Sequence, residues 1–89
     1  MEIRYSPKFH KQYHKASGKI QSVVRQKIQL FDQNPIHPLL RNHKLKGKLL
    51  GYNSINITGD WRALFTENVE AGKLKIVFTA LGTHSQLYK

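Results

Sequence analysis

Histidines and cations carry most of the chemistry that this sequence offers. It holds 15 Lys and Arg and 5 His, against 5 Asp and Glu and no Cys. His84 follows a glycine in Leu81-Gly82-Thr83-His84-Ser85, just past a strand that should be central to a sheet. Gly82 permits a sharp exit, which would set His84 at the sheet's rim. A histidine titrates near neutrality and so suits proton transfer in either direction. His43 lies within the basic run of Arg41, Lys44, Lys46 and Lys48, five cationic or titratable groups in eight positions. Such a run is either a solvated loop or a surface that tracks phosphates, and the excess of cations favours phosphate. Lys11, Lys15, Lys19, Arg25 and Lys27 either extend that surface or form the ordinary polar faces of helices.

Gly59-Asp60-Trp61-Arg62 is the other concentration. An acid in a turn and a lone Trp in a core are common structural features. The functional alternative is a base-stacking Trp beside a phosphate-binding Arg, with Asp60 orienting a histidine. Strand parity puts Arg62 and Leu64 on one face and Trp61, Ala63 and Phe65 on the other. Trp61 and Arg62 therefore share a site only if Trp61 is still in the turn.

Several chemistries are excluded. His10 and His14 have the spacing of a helical metal pair, but no third ligand lies near them and HExxH is absent. Neither a metal nor a cofactor is expected. His84 and Ser85 cannot pair as base and nucleophile by adjacency, and no GxSxG elbow exists. With 5 acids in all, a two-carboxylate hydrolase is also out of reach.

A chain of 89 residues fits one domain, spanning 1–89. Its 39% hydrophobic content is enough for a core. Without cysteine no disulfide framework is available, and a reducing cytoplasm is the expected compartment. Apolar runs such as Ile76-Val77-Phe78 are too short to span a membrane, and Met1-Glu2-Ile3-Arg4 lacks the apolar stretch of a secretion signal. The net charge of +10 is uneven: residues 1–50 carry +9 and residues 51–89 carry +1. Nucleic acid, an acidic protein or an anionic membrane could answer that charge. The helices need their apolar faces for the core, so a membrane is not the expected partner.

These groups must be positioned by a small α+β framework. Glu2–Tyr5 alternates as a short strand. Ser6-Pro7 starts a helix near 7–16, since Ser caps an orphan N–H and Pro has none to leave unpaired. Ser17-Gly18 punctuates it, and Ile20, Val23, Val24, Ile28 and Phe31 trace the apolar face of a second helix ending at Asn34-Pro35. Residues 35–51 read as a connecting loop. Tyr52–Thr58, Trp61–Glu67 and Lys73–Ala80 then alternate as strands, joined by turns at 58–60 and 68–72. Connections this short imply an antiparallel meander. The expected architecture is two helices on one face of a four-stranded, mainly antiparallel sheet in the order β-α-α-β-β-β.

The run His43-Lys44-Leu45-Lys46-Gly47, the Gly59-Asp60-Trp61-Arg62 turn and the ending Leu81-Gly82-Thr83-His84-Ser85-Gln86-Leu87-Tyr88 together resemble the RelE superfamily of bacterial type II toxins, most closely its YafQ-like branch. The resemblance covers nearly the whole chain. It implies a small sheet with two N-terminal helices on one face. It further implies an endoribonuclease that cuts mRNA, typically on the 70S ribosome, and is held inactive by a cognate antitoxin. By motif, His43 and His84 match catalytic histidines of that branch, Asp60 and Trp61 its Asp-Trp pair, and Tyr88 its terminal aromatic. Arg62 matches an arginine of the RelE-type members. Asn56 stands where YafQ-like sequences place a further histidine, and Ala80 where many members have an arginine.

On this resemblance the expected reaction is attack of the RNA 2′-OH on the adjacent phosphate, without metal. His84 would be the general acid and His43 the base, with Arg62 and Lys46 as phosphate stabilisers and Asp60 as orienter. Trp61 and Tyr88 would stack bases, and Arg41, Lys44 and Lys48 would bind the RNA backbone. An antitoxin acidic in its binding segment would cover the same cations, and operator DNA would be reached only through it. A non-catalytic RNA- or ribosome-binding module on the same fold is the rival reading.

Overall fold

A computed structural model describes residues 1–88. The helix boundaries follow from local chemistry. Ser6 accepts the Phe9 N–H at 3.1 Å and Pro7 opens the first helix, α1 (Pro7–Lys15). Ser17 caps the second, α2 (Gly18–Gln33), by accepting the Ile20 N–H at 3.2 Å. Asn34 ends it ahead of Pro35.

The sheet has five strands: β1 (Glu2–Tyr5), β2 (His43–Lys44), β3 (Asn53–Asn56), β4 (Trp61–Glu70) and β5 (Lys73–Thr83), in the spatial order β1-β5-β4-β3-β2. β1 runs parallel to β5, and every other pairing is antiparallel. The helices pack on one face, as expected for the α+β class. Phe9, Val24 and Phe31 meet Ile55, Ala63, Phe65, Ile76, Phe78 and Leu81 in the core. At its centre Phe31, Phe65 and Phe78 contact one another at centroid distances of 5.0–5.4 Å.

Three local features differ from the expected layout. His43–Lys44 pairs with Asn53 and Ser54 as a fifth, two-residue strand, where an unbroken loop is expected. The β4–β5 hairpin is longer, because the turn is only Ala71-Gly72, with φ of 50° and 75°. Two consecutive left-handed residues match the twist of the strands, so pairing continues to Glu70 and Lys73. Finally, Gly82-Thr83 remains in β5, and a one-turn helix, α3 (His84–Leu87), follows.

A β-bulge directs the end of β5. Phe65 pairs with Phe78 and Leu64 with Ala80, which leaves Thr79 without a partner. The extra residue shifts the alternation by one place. Beyond it Leu81 faces the core, while Ala80 and Gly82 face away from the helices. β1 is too short to pair with this stretch, and α1 takes over. The Ser6 hydroxyl donates to the Thr79 carbonyl at 2.9 Å, and the Gln12 carboxamide accepts the Leu81 N–H at 2.7 Å. Both otherwise orphaned backbone groups are thus satisfied.

Candidate active site

The face of the sheet away from the helices carries two cross-strand rows. One runs His43–Ser54–Leu64–Ala80 and the next Asn56–Arg62–Gly82. Over them lies a cleft of about 710 Å³ whose walls include Arg41, His43, Asn56, Arg62, His84 and Tyr88. That volume is within the range of small-ligand sites. Among the described residues no acid lines this cleft, and two arginines and two histidines do. Its field favours an anion.

His43 is exposed on β2, and its Nδ1 lies 2.7 Å from the Arg41 carbonyl. A carbonyl only accepts, so that bond requires the proton on Nδ1. In the neutral ring Nε2 is then left as the unprotonated, accepting nitrogen. Arg41 adopts a left-handed conformation, φ 46°, as the cap of the 3-10 turn Pro38–Leu40.

His84 is the first residue of α3, and its position is set by a capping box. The Thr83 hydroxyl accepts the Gln86 N–H at 3.3 Å, and the Gln86 side chain accepts the Thr83 N–H at 2.8 Å. The His84 N–H itself donates to the Asp60 carbonyl at 2.9 Å. One turn on, Tyr88 meets the His84 ring edge-on, with centroids 4.4 Å apart.

Arg62 uses Nη1 to donate to the carbonyls of Thr58, Gly59 and Trp61, at 3.0–3.1 Å. One end of its guanidinium thereby holds the β3–β4 turn, and the group is fixed at the cleft wall rather than swinging free. Rigidity of this kind favours recognition of a phosphate in one geometry.

Of the residues singled out by sequence, His43, His84, Arg62, Tyr88 and Arg41 converge on the cleft. Lys44 lies next to it, in a recess of about 380 Å³ shared with Arg41 and His43. Lys46 and Lys48 are exposed around the 3-10 turn Gly47–Leu49, outside the cleft wall. Asp60 is exposed and reaches His84 through its main-chain carbonyl, not through its carboxylate. Trp61, expected as a second stacking surface, does not line the cleft. Trp61 is the first residue of β4, pairs with Thr83 and packs against the core cluster, on the opposite face from Arg62. The alternation of β4 leaves Tyr88 as the aromatic side chain at the cleft.

Three further residues belong to this site. Asn56 lines the cleft, where sequence marked it only as a departure from a motif. Gln86 completes the capping box, whose Thr83-x-x-Gln86 signature was present to be read. Ser54 is fully buried and accepts a hydrogen bond from the Tyr88 hydroxyl at 3.1 Å. Nothing in its sequence neighbourhood signals it. Among the described residues no three His, Cys, Asp or Glu side chains gather as a metal site.

A second concavity of about 540 Å³, far more apolar, lies between β1, α1 and α2 and is lined by residues including Ile3, Tyr5, Phe9, Tyr13 and Ile28. It holds His10 and His14 but none of the converging cleft groups.

A mixed sheet with two helices packed on one face is a small fold shared with solved bacterial toxins. The model of the YafQ family, bacterial toxins of type II toxin-antitoxin systems, matches residues 1–89, and the chain belongs to that family. This agrees with the resemblance to the YafQ-like branch of the RelE superfamily. YafQ from E. coli strain BL21(DE3) has the same fold at a TM-score of 0.81 and 21% identity, covering 99% of this chain and 98% of that one. A chain of the E. coli DinJ-YafQ toxin-antitoxin complex matches at a TM-score of 0.74 and 22% identity, over 99% of this chain and 97% of that one. A YoeB/ParE toxin from Agrobacterium tumefaciens matches at 0.74 and 17%, over 94% and 99%. No curated protein sequence matches the chain.

Proposed function

We propose that this toxin is an endoribonuclease that cuts mRNA without a metal ion. The observation that carries the reading is the convergence of His43, Arg62 and His84 on one cleft from three separate segments, with His43 Nε2 left free to accept a proton. Nε2 of His43 removes the proton of an RNA 2′-OH, whose oxygen attacks the adjacent phosphorus. The bond from phosphorus to the 5′-oxygen breaks, and His84 as imidazolium gives that oxygen its proton. The products are a 2′,3′-cyclic phosphate and a 5′-OH end. Arg62, with Arg41 lining the same cleft, stabilises the charge gathering on the non-bridging oxygens. Tyr88 offers the surface on which a base stacks.

Asn56 and Ala80 bear on the phosphate contact. An arginine at position 80 would rise from the row next to that of Arg62, on the same face. Arg62 is the cation on that part of the sheet and takes the contact in this chain. Asn56, across the ladder from Arg62, offers a hydrogen-bonding carboxamide where an imidazole would titrate.

Lys44, Lys46 and Lys48 extend the positive surface for the RNA backbone or for ribosomal RNA, which suits cleavage of mRNA on the ribosome in the cytoplasm. Among the described residues no helix is long and apolar enough to cross a membrane. An antitoxin restrains the enzyme by laying an acidic segment over the same cations, and operator DNA is met through that partner. The whole chain acts as one domain. The test is induction of the chain alone in cells. Growth arrest with mRNA cleavage is expected, and His84→Ala is expected to abolish both while still binding the antitoxin. A fully toxic His84→Ala protein would overturn the assignment. Intact mRNA despite arrest would favour the rival, a non-catalytic ribosome-binding module.

A further inference from the structure

Ser54 is a polar side chain with no exposure, placed in the middle of β3. A buried hydroxyl is costly unless it is bonded, and an alanine would fill the strand without that cost. Its recorded side-chain partner is the hydroxyl of Tyr88, 34 residues away. Tyr88 in turn presses edge-on against the ring of His84. On its other side, Ser54 stands directly across the β2–β3 ladder from His43. One buried serine therefore touches both halves of the site, His43 through the backbone and His84 through Tyr88.

We infer that Ser54 is a positioning residue, which holds the Tyr88 ring against His84 and so fixes the imidazole relative to His43. The inference rests on the nuclease reading above. The backbone of His84 is secured independently, by the Thr83–Gln86 box and by the Asp60 carbonyl. That leaves the rotation of the imidazole, and the Tyr88 ring limits it from one side. Tyr88 has its own freedom about two side-chain torsions, and the bond to Ser54 removes it. Ser54 is wholly covered and cannot touch RNA, so any effect it has on cleavage must pass through other side chains.

The test is a double-mutant cycle with Ser54→Ala and Tyr88→Phe, each of which removes the bond while keeping the strand or the ring. Single-turnover cleavage of RNA is measured alongside KM and the carbon–proton resonances of the His84 ring. Each single variant is expected to lower kcat roughly three- to tenfold, the worth of one hydrogen bond, with KM unchanged. The double variant should be no slower than either single one, and the same His84 resonances should move in all three. Unchanged kcat in Ser54→Ala, or losses that multiply in the double variant, would overturn the inference. A natural chain that cuts no RNA would instead overturn the nuclease reading. The His84 resonances then decide the positioning by themselves: a common shift in both single variants upholds it, and an unmoved His84 refutes it.

Discussion

Arg62 stands directly across the β4–β5 ladder from Gly82, and the space a side chain would take at position 82 is filled from α3 instead. A Cβ added to Gly82 would lie 2.9 Å from Gln86 Oε1, the oxygen that accepts the Thr83 N–H. The glycine thus leaves room for the fold-back of Gln86, and through it for the placement of His84. Gly82→Ala should destabilise the protein by about 1 kcal/mol, the typical cost of losing a helix cap. It should also slow RNA cleavage. Denaturant unfolding checks the first, and unchanged stability would show that Gln86 moves aside without cost.

The cations of the β2 segment make a prediction in salt. If Lys44 and Lys46 each contact a phosphate, Lys44→Gln and Lys46→Gln should each flatten the log–log salt dependence of single-stranded RNA binding by about 0.7. The loss of affinity should be the same whatever the RNA sequence. Titrations at several salt concentrations measure the slope. An unaltered slope would leave these lysines as solvated surface charges with no phosphate contact.

The caps and periods of the sequence carried much of the fold. Ser6-Pro7, Ser17 and Asn34-Pro35 mark the helices where the structure has them, because each capping hydrogen bond is local. Strand parity separated Trp61 from Arg62 correctly. His43–Lys44 was not legible as a strand, since two residues show no alternation and their pairing depends on Asn53 and Ser54. Nor was the Thr79 bulge, which exists only in the register between β4 and β5. In the site, His84, His43 and Arg62 were visible from their chemistry and motifs. Ser54 was not, because the meaning of its hydroxyl lies in a bond to the other end of the chain.

At the hairpin tip, Ala71 holds a left-handed conformation with φ 50°, followed by Gly72. A non-glycine residue pays for that conformation, and Asn-Gly is the favoured pair in a turn of this kind. Ala71→Asn should stabilise the protein by about 0.5–1 kcal/mol. The denaturant midpoint should rise with its slope unchanged, and RNA cleavage should be unaffected.

Tyr5 sets a stability change at alkaline pH. Partial desolvation of its ring, which stands 5.3 Å from that of Phe9 and 5.9 Å from that of Phe78 but keeps an exposed edge, and secondarily the charge of Asp32, hold its hydroxyl above the ordinary tyrosine range. The folded state therefore keeps this proton to higher pH than the unfolded state does. The stability contributed is fully present below the ordinary phenol range and is lost as pH rises through the folded value. Tyr5→Phe should lose stability less steeply there than the natural chain, measured by unfolding at a series of alkaline pH values. Parallel curves would show that Tyr5 ionises alike in both states.

The central claim is that two histidines across one cleft cut RNA by intramolecular attack of its 2′-OH. The most direct measurement is end-group analysis of RNA cut by the purified chain, with free RNA in a metal chelator and, separately, with mRNA in translating ribosomes. The account predicts 2′,3′-cyclic phosphate and 5′-OH ends, and none with His84→Ala. Products with 5′-phosphate ends, or cleavage that survives His84→Ala, would contradict it.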